Sequence, residues 1–314
     1  MQVKSDSKDL IRKLKIFGGI VVTAAAVYFC MLALNGLNPD DIFKTSINWL
    51  LAGLSAAIFA FATFLRALVY PFGIDREMTI LEAWQVVAIG NMANMLLPFR
   101  AGEGVRLAVF PKRYNAARRA KLALIPGMAD IAVILLLSIA AVYIADFKSP
   151  VYVMILKIAS FGFLAFCALT IIILLIIPKT RSEVLSYINF DTLDMVKWVA
   201  LSWITMLFSI WVGFLSFGYG PLRSIILTFG AFAGMNIACL IPSSPGNIGI
   251  FEYSVIVGLA GLGISQIPAK TAGLLLHAIQ YVALLPLGGV LYVFFVMHRH
   301  RQNKFLFANR SYRG

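Results

Sequence analysis

Charge is scarce in this chain. Only 13% of its 314 residues are Asp, Glu, Lys or Arg, while 61% are hydrophobic, and the mean hydropathy is +0.87. No soluble globular domain has this balance, and several apolar runs reach the ~18–20 residues that cross a bilayer. The absence of short alternating segments excludes a β-barrel. Acidic residues are the rarest charges, 14 against 27 Lys and Arg, a net charge of +13. The basic residues fall mostly in loops and tails, where they report topology and contact with anionic headgroups, so no nucleic-acid partner is expected. Cysteine is limited to Cys30, Cys167 and Cys239, all in apolar segments and at no metal-ligand spacing; they read as buried free thiols. There is no HExxH, P-loop, nucleophile elbow or zinc spacing, and no soluble segment long enough to fold alone. The expectation is a protein that is not an enzyme and needs no cofactor or metal.

What is present is a series of apolar helices. Spans are expected at about 16–34, 47–70, 122–145, 151–177, 197–217 and 271–297. The first run is long for a signal-peptide core and has no small-x-small cleavage site, so it reads as a retained span. Two stretches inside this apolar sequence look like copies of each other. Asn91–Phe110 reads NMANMLLPFRAGEGVRLAVF, and Met235–Val255 reads MNIACLIPSSPGNIGIFEYSV. Each begins as an apolar helix, breaks at Leu-Pro or Ile-Pro, and places a Gly four residues beyond the Pro (Pro98 to Gly102, Pro242 to Gly246). A Glu and a second apolar segment follow. We read them as re-entrant hairpins at about 79–110 and 222–262. The resulting unit is span, span, hairpin, span, and it occurs twice, in 1–150 and 151–314. Three crossings per unit invert the second copy, an architecture of alternating-access transporters. Ten spans, with both hairpin arms crossing, would keep the inversion, and eight would lose it. The expected fold is therefore an all-α polytopic membrane protein with an inverted repeat. The positive-inside rule puts both termini in the cytoplasm.

The first hairpin carries Arg100, Glu103 and Arg106, three apart and roughly on one helical face. A charge at the bilayer centre costs ~2.5–3.5 kcal/mol, so these must pair or face water. They can pair internally and leave one positive charge for an anionic headgroup, which Arg binds as a planar fork. A snorkelling interfacial anchor is the alternative. Pro98, Gly102 and Gly104 would free backbone groups for a ligand. In the second hairpin, Pro242, Pro245, Gly246 and Gly249 cannot continue a helix, and unpaired backbone at this depth must be buried in protein or line a wet cavity. A helix starting after Asn247 would aim its positive end at that cavity. Glu252, about one turn further in, is a candidate partner for Arg100 or Arg106, or a group that titrates to couple transport to protons. A structural loop capped by Asn247 is the alternative. Elsewhere, Arg66 reads as snorkelling from the end of a span, and Asp130 needs a partner. His277 and Gln280 share a face, as a bundle-core pair or a proton relay. Gly230-x-x-x-Gly234 permits close helix packing.

The motif LPFRAGEGVR with its basic loop, followed later by IPSSPGNIGIFE, resembles the lysylphosphatidylglycerol synthase transmembrane region family. That family is the flippase-like membrane half of the multiple peptide resistance factors, and it also occurs as stand-alone inner-membrane proteins. The resemblance covers about span two to span six. It implies movement of lipid between leaflets, with Asn94, Pro98, Arg100, Gly102, Glu103, Arg106, Pro242, Pro245, Gly246, Gly249 and Glu252 at the motif positions. Many members carry a Glu-Arg pair before the acid of the next span, whereas here Ile125–Asp130 matches only in the acid. The soluble synthase domain is not among these 314 residues, so aminoacyl transfer is not expected. The leading expectation is an inner-membrane translocase for an anionic or aminoacylated lipid, with membrane lipids as partners and homo-oligomerisation left open. The alternatives are a proton-coupled carrier of a small anion and a non-transporting partner of a lipid-modifying enzyme.

Overall fold

A computed structural model of the chain describes residues 23–25, 27–37, 40, 46–145, 147, 150, 190–238 and 245–311, with scattered residues between 153 and 176. Part of the expected span at 16–34 and most of that at 151–177 lie outside these residues. So do Cys167, Cys239, Pro242 and the connector at 178–189. The elements are α1 (Trp49–Gly73), α2 (Ile80–Leu96), α3 (Gly102–Val109), α4 (Ala116–Ile144), α5 (Phe190–Ser216), α6 (Pro221–Ala238), a 3-10 turn (Pro245–Asn247), α7 (Ile250–Ala260) and α8 (Gln266–Ser311). An apolar helix, Thr23–Leu34, precedes them. No strand occurs among the described residues.

Among the described residues, four helices are long and apolar enough to span a bilayer: Trp49–Gly73, Ala116–Ala141, Thr192–Ser216 and Gln266–His300. A helix of 25 residues extends about 37 Å, beyond the ~30 Å hydrocarbon core. Leu50, Leu124, Ile131 and Val282 stand exposed on these helices, as lipid-facing residues do.

Several helices outrun their expected bounds. α1 continues through Pro71 to Gly73, and Pro126 lies inside α4. In apolar surroundings neighbouring groups re-satisfy the backbone that a proline frees. α4 begins at Ala116, with Asn115 Oδ1 accepting the Arg118 N–H at 2.8 Å. Arg118, Arg119 and Lys121 therefore sit in its first turns, not in a loop. α5 starts at Phe190 rather than near 197, and α8 absorbs the basic tail as far as Ser311. Charge marked the edge of the apolar layer, not the end of the helix. The first hairpin keeps its expected bounds. Thr79 and Glu82 form a capping box at its start, and Phe110 caps its end.

α1 and α5 pack antiparallel along their length. The Asn48 N–H donates to Ser216 O at 2.8 Å at one end, and Gly73 lies against Met195 at the other. Between them Ser55 Oγ donates to Ser209 O, and Ser209 Oγ donates to Ser55 O, each at 2.8 Å. α4 packs on α5, α6 and α3, and α8 packs on α1, α2 and α7. One apolar core gathers Phe214, Leu227, Val255, Leu259 and Leu276, and a second gathers Val86, Ile89, Phe110 and Tyr114.

Candidate functional site

The first break follows α2. Leu97 is extended, and Phe99 and Arg100 then take left-handed backbone at φ 58° and 54° without being glycine. The chain turns back as α3, antiparallel to α2. Glu103 lies opposite Asn94, Arg106 opposite Gly90 and Asn91, and Arg113 opposite Glu82. Only a glycine fits at 102, because a Cβ there would come within 2.2 Å of the Gly90 carbonyl oxygen. Arg106 Nη1 donates to both Glu103 oxygens at 3.0 and 2.8 Å, and Nη2 donates to Asn91 Oδ1 at 2.5 Å. Asn94 Nδ2 reaches Glu103 Oε1 at 3.3 Å. Arg106 Nε and Asn94 Oδ1 are buried without a partner among the described residues. The expected internal pairing is present as Arg106–Glu103, and it leaves Arg100 as the surplus positive charge. Arg100 is exposed and makes no ion pair among the described residues. The Glu103 side chain is 49% exposed, so this network is open on one side.

The second break enters the described residues at Pro245. Gly246, Asn247 and Gly249 have φ of 61°, 59° and 86°, and Gly249 caps α7. Asn247 is therefore not the cap. Glu252 folds back so that Oε2 accepts the Gly249 N–H at 2.7 Å, while Oε1 lies 2.8 Å from His277 Nδ1. His277 Nε2 in turn lies 2.8 Å from the Gly246 carbonyl oxygen. The pair is buried, with His277 stacked on Phe251 at 4.4 Å between ring centroids. The expected pairing of Glu252 with Arg100 or Arg106 is thus replaced by His277, and the carboxylate itself occupies the helix N-terminus that was expected to face a cavity. His277 pairs with Glu252 and not with Gln280, which is half-buried.

The two breaks meet. A Cβ on Gly246 would lie 2.0 Å from Tyr281 Oη and 3.2 Å from the Met95 carbonyl oxygen in the last turn of α2. Tyr281 Oη is buried beside them without a partner among the described residues. Glycines also set the second hairpin, where Gly230, Gly234 and Gly258 bring α6 and α7 into backbone contact. The small-residue motif read from the sequence is in use there.

Asp130 finds its partner in Arg66, at 2.6 Å, and accepts a second hydrogen bond from Trp203 Nε1 at 3.0 Å. Arg66 is therefore held by an ion pair. Its Nη1 is buried without a partner.

The ends of the first hairpin are tied together by cations of the basic segment and by three acids, Asp75, Glu77 and Glu82, that the sequence does not single out. Arg113 pairs with Glu82 at 2.6 Å, and Arg118 pairs with Asp75 at 2.7 Å and Glu77 at 2.8 Å. Arg119 donates to the carbonyls of Leu107, Pro111 and Tyr114. Of the basic segment's Lys112, Arg113, Arg118, Arg119 and Lys121, expected to face headgroups, Arg113, Arg118 and Arg119 are thus bound within the protein. A signal existed, since three of the chain's few acids cluster just before the hairpin or in its first turn. Hydrogen bonding from Arg113 holds the Glu82 carboxyl below the usual carboxylate range. A depressed folded value means that the contribution is present above the unfolded pKa and is lost as pH falls through the folded one. Acidification below the usual carboxylate range should therefore release the 110–115 loop. Faster hydrogen exchange at the Tyr114 amide would report it, and Glu82→Gln should reproduce the effect at neutral pH.

No curated protein and no solved structure gives a significant match to the chain. The sequence model of one family does, across residues 16–288. Together with the apolar helices, that match identifies the chain as an integral membrane protein with a lipid-related role, a member of the family described as the Lysylphosphatidylglycerol synthase TM region.

Proposed function

We propose that the protein is a lipid translocase. It binds the headgroup of an anionic or aminoacylated lipid between the two breaks, leaves the acyl chains in the bilayer, and exposes the headgroup to each face in turn. The observation that carries this reading is the contact of Gly246 with Met95 and Tyr281, beside a hairpin whose Asn94, Glu103 and Arg106 are only partly enclosed and whose Arg100 is unpaired. Irregular backbone at membrane depth belongs where it is buried in protein or lines a wet cavity. A guanidinium left over from internal pairing suits a phosphate.

In this reading α2–α3 and α6–α7 are re-entrant hairpins of an inverted repeat, 1–150 and 151–314, in the inner membrane with both termini cytoplasmic. The helix packing supports it. α4 rests on α5 and α6, α8 rests on α1 and α2, and α1 meets α5 antiparallel. Exchanging the two halves maps the α4 contacts onto those of α8 and the α1–α5 contact onto itself. No bond of the lipid is made or broken.

The test is reconstitution into liposomes with a lipid carrying a fluorophore on its anionic headgroup, bleached from outside by an impermeant reductant. The parent protein should let nearly all the signal be bleached. Arg100→Ala should stop at the outer-leaflet half, with stability unchanged because Arg100 supports no other group. Full bleaching with Arg100→Ala would remove Arg100 from the site, and half bleaching with the parent would remove the translocase reading. Proton-coupled transport of a small anion is the second reading, and the buried Glu252–His277 pair favours it. Uptake of inorganic phosphate into the same liposomes, with no lipid movement, would select it.

A further inference from the structure

We infer that Glu252 and His277 form a binding site for one proton, and that this proton holds the second break closed. The inference rests on the proposed function only in treating that break as a moving part.

The argument is a count of donors and acceptors. The Gly246 carbonyl has no proton to give, so His277 Nε2 must carry one to bond to it at 2.8 Å. The Gly249 N–H donates to Glu252 Oε2 at 2.7 Å. The remaining contact, His277 Nδ1 to Glu252 Oε1 at 2.8 Å, needs one further proton between its two atoms. It sits either on the imidazole, giving an ion pair, or on the carboxyl, giving a neutral pair. In both cases the pair holds one proton more than a carboxylate beside a neutral imidazole would, and that proton is shared between the two groups.

Removing that proton leaves a single imidazole N–H facing two acceptors. If it stays on Nε2, the Nδ1 lone pair opposes the carboxylate. If it moves to Nδ1, the Nε2 lone pair opposes the Gly246 carbonyl. One link is lost either way, and the backbone between Gly246 and Gly249 is released where it touches Met95 of the other hairpin. Water cannot readily compensate, because both side chains are buried and α8 presses on the Glu252 backbone at Gly273.

Among the described residues, the titratable groups facing the pair are few. Tyr281 lies on the same helix as His277, with ring centroids 4.9 Å apart, and the Cys30 thiol on helix Thr23–Leu34 feels the Glu252 charge. Charges on the neighbouring elements are engaged elsewhere: Arg66 with Asp130, Arg106 with Glu103, Glu82 with Arg113, Asp194 with Lys197, and Lys270 with the Asn35 carbonyl. Arg223 lies in the first turn of α6, at the far end of that helix from the break.

The test uses the full chain in detergent with its three native cysteines replaced by alanine. Ile248→Cys reports on the break, Lys112→Cys serves as an exposed reference, and N-ethylmaleimide is the probe. The ratio of the two labelling rates cancels the intrinsic pH dependence of thiols. It should rise about tenfold between about pH 6 and about pH 10, the factor carried by one hydrogen bond to a charged group. Glu252→Gln should hold the ratio low and flat, because its amide N–H supplies a donor to Nδ1 that does not titrate. His277→Phe should keep it high throughout. A flat ratio in the parent, or a Glu252→Gln profile that titrates like the parent, overturns the inference; if that variant cannot be purified, the parent profile decides. No lipid movement enters this readout, so its failure is separate from failure of the translocase reading.

Discussion

Gly258→Ala is expected to destabilise the protein by about 3 kcal/mol, at the upper end of the range for overpacked sites. A Cβ at this position would lie 2.1 Å from the Gly230 carbonyl oxygen and 3.0 Å from its carbonyl carbon. Both are backbone atoms, so no rotamer change can relieve the overlap, and α6 and α7 must separate. Gly234→Ala meets the Ser254 carbonyl oxygen at 2.0 Å and should behave alike. Gly289, in α8, is the control, since nothing lies within 4 Å of a Cβ there. Alanine at 289 should stabilise by about 0.5–1 kcal/mol through backbone entropy alone. Thermal unfolding in detergent would give the comparison. Equal melting temperatures for Gly258→Ala and Gly289→Ala would refute the close crossing.

Asp130→Leu should have an effect of similar size for a different reason. Arg66 and Asp130 are only 19% and 24% exposed at the side chain, and they join α1 to α4. Losing the acid strands a guanidinium whose Nη1 already lacks a partner, and it also takes the acceptor from Trp203 Nε1. A lone charge within the apolar layer costs about 3 kcal/mol. The double variant Arg66→Met with Asp130→Leu should recover most of that loss, because desolvating an ion pair offsets much of its attraction. A double-mutant cycle on chemical stability measures it. Additive losses would mean that the two residues do not act as a pair.

The sequence made the breaks legible and hid what holds them. Pro98, Gly102 and the capping-box residues Thr79 and Glu82 act locally, so the bounds of the first hairpin could be read directly. The charges of Arg100, Glu103 and Arg106 also sorted themselves locally, because they lie within one turn or two of each other. The partner of Glu252 sits on α8 and that of Asp130 on α1, and both choices depend on how helices pack, which spacing along a chain does not encode. The basic segment after α3 suggested lipid contact because its acids, Asp75, Glu77 and Glu82, lie just before the hairpin or in its first turn and are separated from it in sequence. Helix ends were misread wherever polarity changed before the hydrogen-bond ladder stopped, as at Ala116, Phe190 and beyond His300.

The two serines at the crossing of α1 and α5 limit how the molecule can move. Each hydroxyl is spent on the opposite main chain, so prising the helices apart would strand both hydroxyls in a greasy environment. Rotation about that point disturbs little by comparison. If the two halves rock as the proposed translocase requires, this pair would be the fulcrum, with the largest displacements falling on the hairpins and on the outer ends of α4 and α8.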